Sequence, residues 1–454
     1  MESTNNQSME KPVKVTEKFA YGLGDTASNI VFQVVIGFLM FYYTDVFGLS
    51  AAAVGTLFLV VRIFDAITDP IMGGIADRTQ TKWGKYRPYL LWMCIPYGLI
   101  AVLAFSSPDF SAQGKLIFAY VTYTLLMTVY TAINIPYSAL GGVMTSSSTQ
   151  RASIQSWRFA LAMIGGAIVT ASMLPLVEFW GQGNKERGYL FAMATLSIFA
   201  VICFVVCFVF TKERTIVEPN KDESQRVDKQ SILADVKKML ANDQWRIIAL
   251  ITFVLLISVA MRGSVTQYYV TYYLGREDMV AMFMTAGMLA GVAGALSTDW
   301  LSRYLCKVSL MRLATTGIIV SNATLFFVPQ DMLWAAFALM LIANFTHMVI
   351  TPLLFSAVAD TVDYGAVKHG SRAMAMSFSG HLWALKIGIA IGGAMTGWIL
   401  AGFGYEANVT QSDSSLLGIK LIFSAASALA GVVVFLLLRH YRLTNKEMAT
   451  INSQ

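Results

Sequence analysis

The chain has 454 residues, of which 56% are hydrophobic and 13% charged, with a formal net charge of +6. A mean hydropathy of +0.59 excludes an ordinary soluble domain, and a basic excess that falls in loops needs no nucleic acid or acidic partner to explain it. The chain reads as an all-α membrane protein.

Twelve apolar stretches of roughly twenty residues are each long enough to cross a ~30 Å hydrocarbon core. They lie near 24–44, 51–76, 88–107, 115–141, 157–180, 188–210, 246–274, 279–299, 308–328, 332–358, 374–402 and 416–438. The first has no small-residue cleavage site behind it and is expected to be a retained helix. In it Asp25, Asn29 and Gln33 are polar groups available to a cargo. Asp25, near the start, is equally placed to cap the helix or gate the mouth.

The second span carries the strongest signal. Asp65 and Asp69 lie one turn apart, with Arg62 three residues before Asp65, so all three share one helix face. Asp65 is twelve residues from the loop residue Asp77, or ~18 Å deep at 1.5 Å per residue. A carboxylate at that depth costs roughly 2.5–3.5 kcal/mol on insertion scales. One arginine cannot neutralise two of them, so the pair is expected to hold a mobile cation, Na⁺, Li⁺ or H⁺. Thr68 and Thr131 are candidate neutral ligands. The bland alternative is a fixed cluster that only ties helices together.

Past this span, Asp77 and Arg78 lead into a basic turn, Lys82 to Pro88. In the fourth span Tyr130, Asn134 and Tyr137 combine hydroxyl, amide and ring surface of the kind that binds sugars. Trp157 and Arg158 open the fifth span. The polar stretch 212–245 then separates six spans from six, dividing the chain into 1–211, a linker and 246–454. Within it, Ser231 to Leu240 has the spacing of a short amphipathic surface helix. Arg262 lies inside the seventh span and Lys386 inside the eleventh, as cations facing the carboxylates across a central cavity or as members of fixed interhelical salt bridges, and Trp383, also in the eleventh, is a candidate ring for a sugar. Asp360, Asp363 and Arg372, around the end of the tenth span, are candidate gating charges, as are Arg62, Asp77 and Arg78.

The halves are weakly alike. Trp157 and Arg158 followed by Ile164-Gly165-Gly166-Ala167 match Trp383 to Lys386 followed by Ile391-Gly392-Gly393-Ala394, and Pro136 has a counterpart in Pro352. Six-span repeats about a midplane site are a transporter construction. With the amino terminus in the cytoplasm, 24 of the 33 Lys and Arg fall on cytoplasmic segments, which places both ends inside. No zinc-protease, phosphate-loop or serine-elbow motif is present, so no enzyme and no cofactor are expected. The four cysteines have no disulfide or metal-ligand spacing.

Taken together, Tyr21 to Asp25, Tyr42 to Asp45, Arg62 to Pro70, Trp83 to Pro88, Asn134 to Tyr137 and Ala359 to Tyr364 resemble the glycoside-pentoside-hexuronide:cation symporters, the melibiose permease group of the major facilitator superfamily. The resemblance runs from about Glu17 to Leu443. It implies twelve transmembrane helices in two six-helix halves, Na⁺- or H⁺-coupled sugar uptake by alternating access, and a monomer in a bacterial inner membrane. It also implies a cation site at Asp65 and Asp69, with Thr68 and Thr131, and a sugar site including Asn29, Asn134, Arg158 and Lys386. The chain departs from the permease where Asn29 and Asn134 replace aspartates and Ser138 a tryptophan, so α-galactoside specificity does not carry over. Ala366-Val367 stands where the family often has Glu-Trp. Two other readings stay open: transport of an amphipathic lysophospholipid, and a glycoside sensor that does not transport.

Overall fold

The computed structural model describes residues 13–145, 148–214, 237–302, 304–369, 374–444, 447–448 and 450. Among them, twelve helices are long and apolar enough to cross a membrane. We number them α1 (Val15–Val34), α2 (Ala51–Arg78), α3 (Arg87–Ala104), α4 (Ala112–Val143), α5 (Ser148–Gly181) and α6 (Lys185–Phe210). After the linker come α7 (Asp243–Tyr268), α8 (Val280–Ser302), α9 (Lys307–Phe326), α10 (Leu333–His369), α11 (Met374–Gly402) and α12 (Asp413–His440). Oxygen side chains before the first turn cap several of them: Ser50, Ser111, Asn184, Asn242 and Ser412 each accept from a backbone N–H three residues on, satisfying donors the helix itself cannot.

Two helices overrun their expected spans. α1 begins at Val15 because its polar first turn is anchored: Arg214 grips Glu17 through Nη1 at 2.8 Å and Nη2 at 2.6 Å. α10 continues through Pro352 to His369, carrying its acidic end past the apolar stretch. Of the expected amphipathic helix in the linker, residues 231–236 lie outside the described residues and 237–241 are helical.

The packing repeats with a six-helix shift. In the first half α1 packs on α5 and α6, α2 on α4, and α3 on α4 and α6; in the second, α7 packs on α11 and α12, α8 on α10, and α9 on α10 and α12. The halves meet through α2 with α11 and α5 with α8, two seams that exchange under the same shift. α1 and α7, which correspond, both end in wide π turns, Tyr42–Val46 and Tyr269–Tyr273, on the face opposite the amino terminus.

At that opposite face the apolar core runs across both halves, joining Phe38 and Phe41 to Tyr268, Leu400 and Phe423. Toward the amino-terminal face the second half keeps a separate core, including Ile248, Leu255, Met311 and Leu354. The seam between α2 and α11 is glycine-dependent. A Cβ on Gly397 would sit 2.3 Å from the Ala51 carbonyl oxygen and 2.8 Å from the Gly55 Cα, so any larger residue forces the helices apart.

Candidate functional site

Asp65 and Asp69 fall on the inner face of α2, opposite α4. Thr131 of α4 lies between them, its Oγ1 2.7 Å from Asp65 Oδ1 and 3.1 Å from Asp69 Oδ1. One hydroxyl has one proton to donate, so it can satisfy only one carboxylate at a time. Arg62 Nη1 stands 3.9 Å from Asp65 Oδ2 and its guanidinium lies over the Phe32 ring at 5.9 Å. Asp65 is the most enclosed of the group, with 3% of its side chain exposed against 19% for Asp69.

Lys386 completes the cluster from the other half. Its Nζ, on α11, is ion-paired to Asp69 Oδ2 and lies 3.7 Å from Asp65 Oδ2. The expectation that one arginine leaves an uncompensated negative charge is therefore corrected: two carboxylates face two fixed cations, and the sum is zero. A further monovalent cation makes the cluster +1 unless the lysine leaves. Since a buried charge without a partner is expensive, a mobile cation bound here would compete with the ammonium for the same oxygens.

A cavity of about 200 Å³ borders this cluster, lined by Tyr130, Asn134 and Ile135 of α4 and Leu385 and Ile389 of α11 besides the charged residues. Asn134 Nδ2 donates to the Tyr130 hydroxyl at 3.2 Å. Its buried Oδ1 has no protein partner, which leaves an acceptor free for a ligand hydroxyl.

Other expected site residues are placed elsewhere. Thr68 does not turn to the carboxylates; its Oγ1 donates to the Asp65 main-chain carbonyl at 3.0 Å, a bond helical threonine makes within its own turn. Tyr137 is fully buried, stacked on Tyr21 with centroids 4.7 Å apart, and donates to the Tyr21 carbonyl at 2.7 Å. It is packing. Asp25 and Arg158 form a separate pair at 3.0 Å, with Arg158 also on Ser138 Oγ at 3.2 Å and over the Tyr137 ring. Asn29 donates to the Asp25 carbonyl at 3.0 Å. Trp383 is 61% exposed and outside the cavity lining; Trp157 packs edge-on against Phe19.

Of the expected gating charges, Arg62 belongs to the carboxylate cluster. Asp360 is ion-paired to Lys307 of α9, within the second half. Asp363 is partly buried and Arg78 exposed. The side chain of Asp77, and Arg372 altogether, lie outside the described residues.

The residue that sequence reasoning missed as a functional group is Asp45. At the end of α1 it accepts hydrogen bonds from Thr44 at 2.6 Å, from Tyr405 at 2.6 Å and from Tyr272, while Asn408 Nδ2 donates to its main-chain carbonyl at 2.6 Å. Thr44 also bonds Tyr268 at 2.7 Å. Three of these partners come from the second half, so Asp45 ties the halves at the face opposite the amino terminus. The signal was present as a carboxylate after Tyr42-Tyr43-Thr44 at the end of an apolar span; its partners, more than 220 positions away, were not.

A family model described as MFS/sugar transport protein matches residues 20–445. The chain is 40% identical to the inner membrane symporter YicJ of Escherichia coli (strain K12), over 97% of this chain and 95% of that one. It is 34% identical to the isoprimeverose transporter of Lactiplantibacillus pentosus, over 89% and 84% of the two chains. Among solved structures, a D-xylose-proton symporter superposes with a TM-score of 0.63 at 13% identity, covering 92% of this chain and 96% of that one, a likeness of fold alone.

Proposed function

The chain belongs to the MFS/sugar transport family, among the glycoside-pentoside-hexuronide:cation symporters, and from that membership we propose that it imports a sugar or glycoside together with Na⁺ or H⁺. The observation that carries this reading is the ion pair between Lys386 on α11 and Asp69 on α2, reinforced by the Thr131 bridge. A cation entering at Asp65, Asp69 and Thr131 displaces the Lys386 ammonium. The freed lysine then turns to the cavity that Tyr130 and Asn134 line, where the sugar hydroxyls bind. Cation and sugar each favour the other, because the lysine that one releases serves the other.

The packing of the two halves supports alternating access. With both ends in the cytoplasm, as the distribution of basic residues favours, the joined face is external and this conformation opens inward. The segments 1–211 and 246–454 act as the two rocking halves, 212–245 as their tether, and a single copy in a bacterial inner membrane suffices. The relatives named as a symporter and an isoprimeverose transporter support a glycoside cargo.

Counterflow in reconstituted vesicles, with labelled glycosides, hexuronides and lysophospholipids, tests the cargo. Exchange of at least one glycoside supports the reading. Exchange of lysolipid alone, or of nothing despite ligand binding, overturns it.

A further inference from the structure

Ser258, Thr266 and Ser424 spend their hydroxyls on their own helices, each donating to a backbone carbonyl three or four residues earlier at 3.0, 2.6 and 2.6 Å, as hydroxyls in a helix commonly do. Ser427 of α12 does not. It is 3% exposed, and its Oγ has no hydrogen-bond partner among the described residues. It follows the π turn Leu421–Ala425 and lies one helical turn after Phe423, whose ring stands 5.7 Å from the guanidinium carbon of Arg262 on α7.

Arg262 is the second anomaly at the same place. Among the described residues it makes no ion pair; its Nη1 donates to Asn322 Oδ1 at 3.3 Å and its Nη2 to the Met340 carbonyl at 3.2 Å, both neutral oxygens. An arginine does not shed its proton, so the charge stays and lacks a countercharge. Ser427 and Arg262 both line a cavity of about 280 Å³ between the halves, beside the seam of α5 with α8, and no carboxylate among the described residues lines it. Gln33 of α1 lines it from the first half, and the one partner of its amide nitrogen there is the Met288 sulfur at 4.0 Å. A hydroxyl, an amide and a guanidinium thus border one space with N–H and O–H groups unspent. Beside a fixed positive charge, such groups are best satisfied by an anion.

We propose that this cavity holds a small inorganic anion, chloride, as the resident countercharge of Arg262, with the Ser427 hydroxyl and the Gln33 amide donating to it. A water takes about 30 Å³ of liquid volume, so the space admits the ion with several waters. The ion is not cargo: sugar and coupling cation keep the separate cavity bordered by Tyr130, Asn134, Asp65 and Asp69. Because Gln33 belongs to the first half and Arg262 and Ser427 to the second, a bound anion bridges the halves and favours the arrangement that closes on it.

The test is thermal melting of the purified full-length protein in detergent, with sodium chloride titrated against sodium methanesulfonate at constant Na⁺ and ionic strength. Chloride is expected to raise Tm saturably, by about 2 °C or more, and bromide to replace it. Arg262→Gln should lose this dependence. Ser427→Ala, a small change that α12 tolerates, should raise the half-saturating chloride concentration about threefold or more, and it decides the matter if the glutamine variant does not fold. Asp69→Asn should respond to chloride as the parent does, since the coupling-cation site lies elsewhere. A flat Tm in the parent, the same rise in Arg262→Gln, or an unshifted half-saturation in Ser427→Ala overturns the proposal. So does a response lost in Asp69→Asn, which would move the chloride effect to the carboxylate cluster.

Discussion

Lys386 of α11 is ion-paired to Asp69 of α2, a contact that spans the two halves and completes the neutrality of the buried Asp65 and the half-buried Asp69. If that ammonium holds the place of a coupling cation, its removal should be felt first in cation binding. Lys386→Ala leaves Asp65 and Asp69 with Arg62 as their only fixed cation. We expect cation affinity to rise tenfold or more, about 1.4 kcal/mol, while gradient-driven sugar accumulation is lost. Tryptophan fluorescence followed through Na⁺ and pH titrations reads the first, and an unchanged affinity argues that the lysine does not compete.

Asp45 gathers hydroxyls from Tyr272 and Tyr405 at the joined face. Hydrogen bonds to a charged group contribute about 1.5–3 kcal/mol each, so Asp45→Asn should move the population at least tenfold toward the conformation open at that face. A cysteine introduced by Gln33→Cys in a background lacking the native cysteines should then react faster with an impermeant maleimide added on that side. Equal labelling rates in the two backgrounds contradict a latch at Asp45.

The close approach of Gly397 to Ala51 and Gly55 makes a second, apolar test of the same face. Gly397→Val forces α2 from α11. Labelling at the same position should rise, and sugar uptake should fall severalfold, whereas Gly74→Val, where a Cβ meets nothing within 4 Å, should leave both near the parent values.

Glu213 has a structural duty. Its carboxylate accepts from the backbone N–H groups of Lys85, Tyr86 and Arg87 at 2.9, 2.8 and 2.9 Å, capping the start of α3 from the chain just after α6. Glu213→Ala should destabilise the protein by about 1–3 kcal/mol, read as a lower Tm in detergent. Glu213→Gln keeps one accepting oxygen and should recover part of the loss.

What could be read in advance divides along physical lines. The spans, and the pairing of Asp65 with Asp69, were legible because hydrophobic length and a one-turn spacing are local properties. Thr131, expected as a neutral oxygen beside the pair, does lie between the two carboxylates on the neighbouring helix. Thr68 was misplaced because a helical threonine satisfies its hydroxyl on its own backbone, an option its sequence position does not reveal. Lys386 was recognised as a deep charge, yet its partner on α2 depends on how the halves dock. The same holds for Arg262, whose neutral surroundings distinguish it from Arg158 only once Asn322, Met340 and Asp25 have taken their places.

Asp65 and Asp69 are the proposed seat of the ion that drives uptake, and this assignment carries the rest of the mechanism. It is tested most directly by measuring accumulation and counterflow of one labelled glycoside in vesicles holding the parent protein or Asp69→Asn, under an imposed Na⁺ gradient and, separately, a pH gradient. One of the two gradients should drive accumulation by the parent, and Asp69→Asn should lose this accumulation while still exchanging sugar. Full accumulation by Asp69→Asn would contradict it.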